Sequence, residues 1–292
     1  MKLTACQPLE NMTNPDLGGW MNARLTRLQG RTEYPSIELL AIASHVLQKP
    51  KEWIVAHPET TLNEQQLEVL EKAYARLMNG EPLAYITGRR SFYGLDFMVD
   101  DRVLIPRPET ELLVDLAIAW LKDNPGKNRI VDIGTGSGAI AVTLAYHLPN
   151  SKITAIDVSL NALEVARSNA ALHRVADRIE FIRNDLLEGL EDKFDLVLAN
   201  LPYIPTPDLD NLTDLKHEPR AALDGGLNGL QIIEQLITST KKCIAQNGCM
   251  ILEIQYNQGI IVREIALQQY PQAICSIHQD LAALPRVVKI QF

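Results

Sequence analysis

The run Val131-Asp132-Ile133-Gly134-Thr135-Gly136-Ser137-Gly138 constrains this chain more than any other stretch. An apolar, strand-like segment from Arg129 to Ile133 leads into it, and an apolar, helix-like segment leaves it and runs through His147. In that setting glycine lets the backbone turn sharply and approach a ligand closely. Asp157 ends the next apolar segment, about twenty residues beyond the loop, where a carboxylate can accept hydrogen bonds from both hydroxyls of a ribose. Together these features point to a nucleoside-bearing cofactor of the dinucleotide or the S-adenosylmethionine type. Alanine at position 139, where a dinucleotide loop carries a further glycine, tilts the choice away from a dinucleotide.

The segments around this loop predict the fold. Strands are expected at Arg129 to Ile133, Ile153 to Ile156, Ile179 to Ile182 and Phe194 to Ala199, with helices through His147 and around 160–172 between them. Alternation of this kind describes an α/β domain, a parallel sheet covered by helices on both faces. A proline-rich loop, a helix near 228–246, a strand at Met250 to Ile254, another helix and two apolar stretches at Ile274 to His278 and Val287 to Ile290 complete it.

Upstream the texture is helical. Ile37, Leu40, Ala41, Ser44 and Leu47 predict one buried helix face, and Leu67, Leu70, Tyr74 and Leu77 a second. Asn63 and Gln66 have the spacing of a capping box, and Gly80 and Pro82 close that helix. Residues 91–105 read as a hairpin turning at Gly94, and Ile105-Pro106-Arg107-Pro108-Glu109-Thr110-Glu111 stiffens the chain before a helix begun by its acids. Arg89-Arg90 reads as a solvated pair and Tyr85 as a core aromatic. Glu218 and Arg220 read as supports of a neighbouring loop.

A second feature ends the fourth strand of the alternation: Asn200-Leu201-Pro202-Tyr203. Ligands of open α/β sheets bind beyond the carboxyl ends of the strands, so this elbow, Asp157, and Asp185 with Leu186 belong to one crevice, the last two placed to meet a nucleobase. An amide or aromatic amine nitrogen is a poor nucleophile because its lone pair is delocalised. The Asn200 side-chain carbonyl and the Leu201 main-chain carbonyl can each take one N–H hydrogen and turn that lone pair toward a methyl donor, favouring the transition state by oriented dipoles. Tyr203 packs on the planar group and Pro202 fixes the turn, so catalysis is mostly positioning, with no metal and no covalent enzyme intermediate.

Composition narrows the alternatives. At 292 residues, with 46% apolar and 22% charged residues, this is an ordinary globular chain with material for about two domains. A net charge of -8 and no basic run argue against a wide nucleic-acid footprint. Cys6, Cys243, Cys249 and Cys275 lack metal-binding spacing and predict reduced, packed thiols. No apolar run approaches the roughly 18 residues of a membrane span, and Met1 to Pro8 lack the apolar region of a signal peptide, so a cytoplasmic location is expected.

The chain resembles the peptide chain release factor glutamine methyltransferases over nearly its whole length. The resemblance rests on Leu83 to Gly88, Phe92 to Phe97, Ile105 to Glu111, the glycine loop, the Asn200 elbow, and His217-Glu218-Pro219-Arg220-Ala221-Ala222-Leu223-Asp224-Gly225-Gly226. The segments at 105–111 and 217–226 are the more specific. It implies a Rossmann-like, seven-stranded class I methyltransferase domain over 109–292, preceded by a helical recognition domain over 1–85 and a β-hairpin linker over 86–108. It also implies S-adenosylmethionine as cofactor and, as substrate, the glutamine of the Gly-Gly-Gln loop of class 1 release factors, methylated on its side-chain amide nitrogen (N5). Gly134, Thr135, Gly136, Ser137, Gly138, Asp157, Asp185, Leu186 and Asn200 are then the cofactor contacts, and Asn200, Leu201, Pro202 and Tyr203 the catalytic and substrate contacts. A monomer without direct nucleic-acid binding is expected.

Leu201 departs from that family's pattern, which has proline there. Residues before proline are driven to extended geometry, so Pro202 is expected to aim the Leu201 carbonyl and preserve activity. The departure also resembles the elbow of adenine N6 methyltransferases acting on RNA or DNA, where the same acceptors hold an exocyclic amine. A binding module without turnover is the third alternative, opposed by the presence of Asn200 and Tyr203.

Overall fold

Helices alone form the first unit of the computed structural model, which describes residues 15–292 and divides after Thr87. They are α1 (Leu17–Leu28), α2 (Pro35–Leu47), α3 (Lys51–Ala56), α4 (Glu64–Met78) and α5 (Leu83–Thr87). The Asn63 side chain accepts from the Gln66 N–H at 2.8 Å while the Gln66 side chain accepts from the Asn63 N–H at 3.0 Å, a reciprocal cap that starts α4. Leu70, Tyr74 and Leu77 of α4 are buried, with Leu67 packed at the edge. On α2 the buried face is Leu39, Ile42 and Ala43; the expected face is not the buried one, and Ile37 is 53% exposed. The helix is apolar on nearly every side, so spacing alone does not choose its inward stripe.

The second unit opens with a hairpin, β1 (Arg89–Phe92) and β2 (Leu95–Met98). Tyr93 and Gly94 take φ of 50° and 74°, the paired left-handed conformation whose twist suits a two-residue hairpin turn. The hairpin is shorter than its expected span, because Asp100 accepts from the Arg102 N–H and turns the chain. Arg90 is not a free surface charge: its Nε donates to the Pro106 carbonyl at 3.2 Å. A single 3-10 turn, Pro108–Thr110, then leads into α6 (Glu111–Asp123).

The sheet follows as β3 (Arg129–Ile133), α7 (Ala139–His147), β4 (Lys152–Asp157), α8 (Leu160–Leu172), β5 (Ile179–Arg183), β6 (Phe194–Ala199), the short α9 (Thr206–Leu209), α10 (Gln231–Ser239), β7 (Ile244–Glu253), α11 (Gly259–Gln269), β8 (Ile274–Gln279) and β9 (Pro285–Gln291). The seven strands lie in the order β5-β4-β3-β6-β7-β9-β8, with β3 to β7 parallel and β8 and β9 antiparallel at one edge. Every residue of β6 is buried, as a central strand covered on both faces requires. The helix expected near 228–246 is shorter, because β7 begins at Ile244. Its register jumps from the Phe194–Ile244 pair to the Leu196–Cys249 pair, with Asn247 at φ 53°, and this polar bulge hides the strand's first half from a periodicity reading.

Cys243 and Cys249 are buried, and Cys275 is partly so; all three are free thiols, while Cys6 and the Met1 to Pro8 segment lie outside the described residues. No helix among the described residues is long and apolar enough to cross a membrane. Strand order reverses between β3 and β6, and the crevice at a reversal of this kind is where an open α/β sheet receives ligands.

Candidate active site

The three loop glycines are required for three different reasons. Gly134 has φ +70°, and a Cβ there would sit 3.0 Å from Leu201 Cδ2, so the loop touches the elbow directly. Gly138 has φ +79° and lies 3.2 Å, measured in the same way, from the Ala166 backbone, which permits close packing of α8. Gly136, at φ +55°, meets nothing nearer than the Gly134 carbonyl at 3.9 Å and faces open space. That space is a cavity of about 220 Å³.

Gly134, Gly136, Asp157, Asp185, Leu186 and Asn200 line the cavity; Thr135, Ser137 and Gly138 do not. Thr135 instead donates its hydroxyl to Asp132 at 2.6 Å, and the Ser137 carbonyl accepts from Asn169 at 2.8 Å, so these residues brace the loop from behind. Asp157 accepts from the Gly136 N–H and the Ser159 N–H, each at 2.9 Å. Burial pushes its carboxyl above the usual carboxylate range, and those backbone donors oppose the shift. A carboxylate has about four lone-pair directions, so capacity remains for a ligand hydroxyl. The site thus combines a glycine with room in front of it, an acid with free lone pairs, and the apolar Leu186. These features suit a nucleoside-bearing cofactor such as S-adenosylmethionine.

The elbow separates this cavity from a second, of about 250 Å³, which Arg107, Tyr203 and Leu215 line; Asn200, Leu201 and Pro202 face both. Leu201 is 5% exposed and belongs to the core of the sheet, which is how a residue other than proline is held in this turn. The loop carrying Leu223-Asp224-Gly225-Gly226 clamps the elbow from outside. Ile204 makes two backbone bonds to it, its N–H donating to Leu223 O at 3.1 Å and its carbonyl accepting from the Gly225 N–H at 2.8 Å. Gln258 Nε2 bridges the Tyr203 and Gly229 carbonyls at 3.0 and 3.2 Å.

Residues absent from the sequence reading support the elbow from within. Asn200 Nδ2 donates to Thr110 Oγ1 at 3.0 Å, which leaves Asn200 Oδ1 for a ligand N–H. Thr110 also neighbours the Glu253 carboxyl and favours its charged form, and the Tyr203 hydroxyl donates to Glu253 Oε1 at 3.5 Å. Burial pushes Glu253 up to about 7, opposed by Thr110 and Arg286, and also raises the Tyr203 phenol above its ordinary value. An acid set inside the apolar run Met250 to Ile254 is the visible signal of Glu253. Glu218 pairs with Arg107 and accepts from the Ile105 N–H at 3.1 Å, which ties 105–111 to 217–226, while Arg220 forms exposed pairs with Asp210 and Asp224.

Comparison with known proteins places this geometry in a family. Residues 110–213 match the methyltransferase small domain and residues 20–88 the PrmC N-terminal domain. The catalytic domain of hMettl16, solved in complex with MAT2A 3'UTR hairpin 1, shares the fold at TM-score 0.54 and 15% identity, over 80% of this chain and 83% of that one. A bifunctional methyltransferase of Rickettsia bellii is 37% identical over 88% of this chain, which spans only 51% of that relative's length. Release factor glutamine methyltransferases of Lactococcus lactis and Vibrio cholerae are 38% and 37% identical, over 79% and 90% of this chain and 84% and 92% of theirs. Likeness of that depth over nearly the full length of both proteins means that the chain belongs to the release factor glutamine methyltransferase family.

Proposed function

We propose that this protein transfers the methyl group of S-adenosylmethionine to the side-chain amide nitrogen of the glutamine in the Gly-Gly-Gln loop of class 1 release factors. One observation carries the reading: a single elbow, Asn200 to Pro202, forms the common wall of two adjoining cavities, one fitted for a nucleoside and the other lined by Tyr203 and Arg107. Gly134, Gly136, Asp157, Asp185 and Leu186 hold the cofactor, with Thr135, Ser137 and Gly138 fixing the loop. S-adenosylmethionine, when bound, supplies an electrophilic methyl on a sulfonium.

Asn200 Oδ1 and the Leu201 carbonyl each accept one N–H of the substrate amide and turn its lone pair toward the cofactor cavity. Tyr203 packs on the amide plane. With the cofactor bound, the sulfonium S–CH3 bond would break as the N–C bond forms, leaving a neutral thioether, and the two carbonyl dipoles would stabilise the positive charge on the nitrogen until it gives one proton to water. No covalent enzyme intermediate is required, and the rate comes from orientation. The helical unit of residues 15–87 serves recognition of the release factor, the protein acts as a monomer, and its place is the cytoplasm.

The test supplies labelled S-adenosylmethionine with intact release factor, a Gln→Ala variant of its loop, and ribosomal RNA in parallel. Label is expected in the release factor and absent from the loop variant. Label in RNA alone transfers the assignment to an adenine N6 methyltransferase, and cofactor binding without product in any arm identifies a binding module.

A further inference from the structure

A carboxamide has two ends of similar shape and opposite hydrogen-bonding character, and only its oxygen serves a substrate N–H. Thr110 alone does not decide which end of Asn200 faces the cavity, because a hydroxyl both donates and accepts. With Asn200 Nδ2 donating to Thr110 Oγ1, the hydroxyl proton of Thr110 is left for another acceptor, and the neighbouring Glu253 carboxyl, whose buried Oε2 lacks a donor, is the acceptor available to it. An ionised carboxyl only accepts, so a Thr110 hydroxyl turned to Glu253 can only donate to it, which leaves Thr110 Oγ1 as an acceptor for Asn200 Nδ2 and turns Asn200 Oδ1 outward.

The fold sets up this line. Ala199 of β6 is the register partner of Leu252 of β7, so Asn200 and Glu253 follow one step further along neighbouring parallel strands. Thr110 is 4% exposed and Glu253 1% exposed, and Glu253 Oε2 is buried with no hydrogen-bond partner. Leaving a buried acceptor unsatisfied is destabilising, and more so for a charged group, so packing does not account for an acid here.

We propose that Glu253, acting through Thr110, is a positioning residue that holds the Asn200 carboxamide with its oxygen toward the substrate nitrogen. This rests on the reading of Asn200 as an acceptor of that N–H. The groups facing Glu253 are Thr110 and Glu109 from the turn before α6, Tyr203 from the elbow and Arg286 from β9. Arg286 favours the charged form and Glu109 the neutral one, with burial the largest influence. A proton on Glu253 makes it a donor to Thr110 and permits the reversed chain, in which Asn200 presents Nδ2 to the cavity.

The experiment uses the full chain, with saturating S-adenosylmethionine and intact release factor, and compares Thr110→Val, Thr110→Ser, Glu253→Gln, Asn200→Ala and the Asn200→Ala/Thr110→Val double variant. Thr110→Val is expected to lower kcat about tenfold or more, with cofactor Kd within about twofold, while Thr110→Ser stays within about threefold of the natural protein. In the Asn200→Ala background Thr110→Val is expected to change kcat by less than about twofold, because its effect runs through Asn200. Wild-type kcat is expected to fall between about pH 8 and pH 6, and that of Glu253→Gln to be lower and flat. Equal loss from Thr110→Val in both backgrounds overturns the proposal, as does a wild-type pH profile in Glu253→Gln. If Glu253→Gln does not fold, the threonine variants decide alone. Full turnover by Asn200→Ala overturns the acceptor role of Asn200 itself, and this proposal with it.

Discussion

Gly225 and Tyr203 approach so closely that no side chain fits between them: a Cβ on Gly225 would lie 2.8 Å from Tyr203 Cα and 2.8 Å from the Pro202 carbonyl. The backbone of the 217–226 segment therefore lies directly against the elbow. Gly225→Ala forces the elbow to move. We expect kcat to fall at least about tenfold, with cofactor affinity within about threefold, because under the proposed function the displaced groups orient the methyl acceptor. Steady-state kinetics with calorimetric titration of the cofactor check this, and unchanged kcat would show that the elbow tolerates displacement.

Leu201 joins the sheet core while its Cδ2 touches the glycine loop at Gly134. Leu201→Ala is expected to cost about 2–4 kcal/mol of stability, the usual range for a buried leucine that leaves a cavity. Gly134→Ala, strained by its positive φ in either background, is expected to be less damaging when Leu201 is already alanine. A double-variant cycle of urea unfolding measures this coupling, and strictly additive losses would mean that the contact is idle.

Glu218 is buried and paired with Arg107, which is partly exposed. Removing the arginine strands a buried carboxylate, so Arg107→Ala is expected to cost about 2–4 kcal/mol, more than the Arg107→Ala/Glu218→Gln pair. Urea midpoints of the two variants compare them directly. A double variant less stable than the single one would assign the stabilisation to Glu218 hydrogen bonds alone.

Asp132 is fully buried; burial pushes its carboxyl up to about 7, against donors from Thr135 and Ala141, and Asp157 adds to the rise. The folded protein thus holds this proton more tightly than the unfolded chain, whose aspartates titrate near pH 4. Its stabilising effect is complete below about pH 4 and lost as pH rises through about 7. Asp132→Asn cannot titrate, so between about pH 5 and pH 8 the natural protein is expected to lose on the order of 2 kcal/mol relative to the variant. Thermal unfolding at several pH values gives this difference, and a pH-independent gap would place the titration elsewhere.

The sheet was legible because β3 to β6 are short apolar runs broken by turn residues, and because Asp157 ends a strand while Gly134 and Asn200 each directly follow one. What escaped notice depended on neighbours distant in sequence. Periodicity does not rank the sides of α2, where nearly every side is apolar, and it cannot register the bulge at Asn247, since the extra residues matter only against β6. Thr110 is hydrogen-bonded to Asn200 across 90 residues of sequence, and no local spacing encodes such a link.

Ile133 and Ala199, the residues just before the glycine loop and the elbow, are direct register partners on adjacent parallel strands. The glycine loop and the elbow are thus mounted on one rung of the ladder. Sheet breathing or changes of twist carry the two together, so under the proposed function thermal motion of the domain need not misalign methyl donor and nitrogen acceptor.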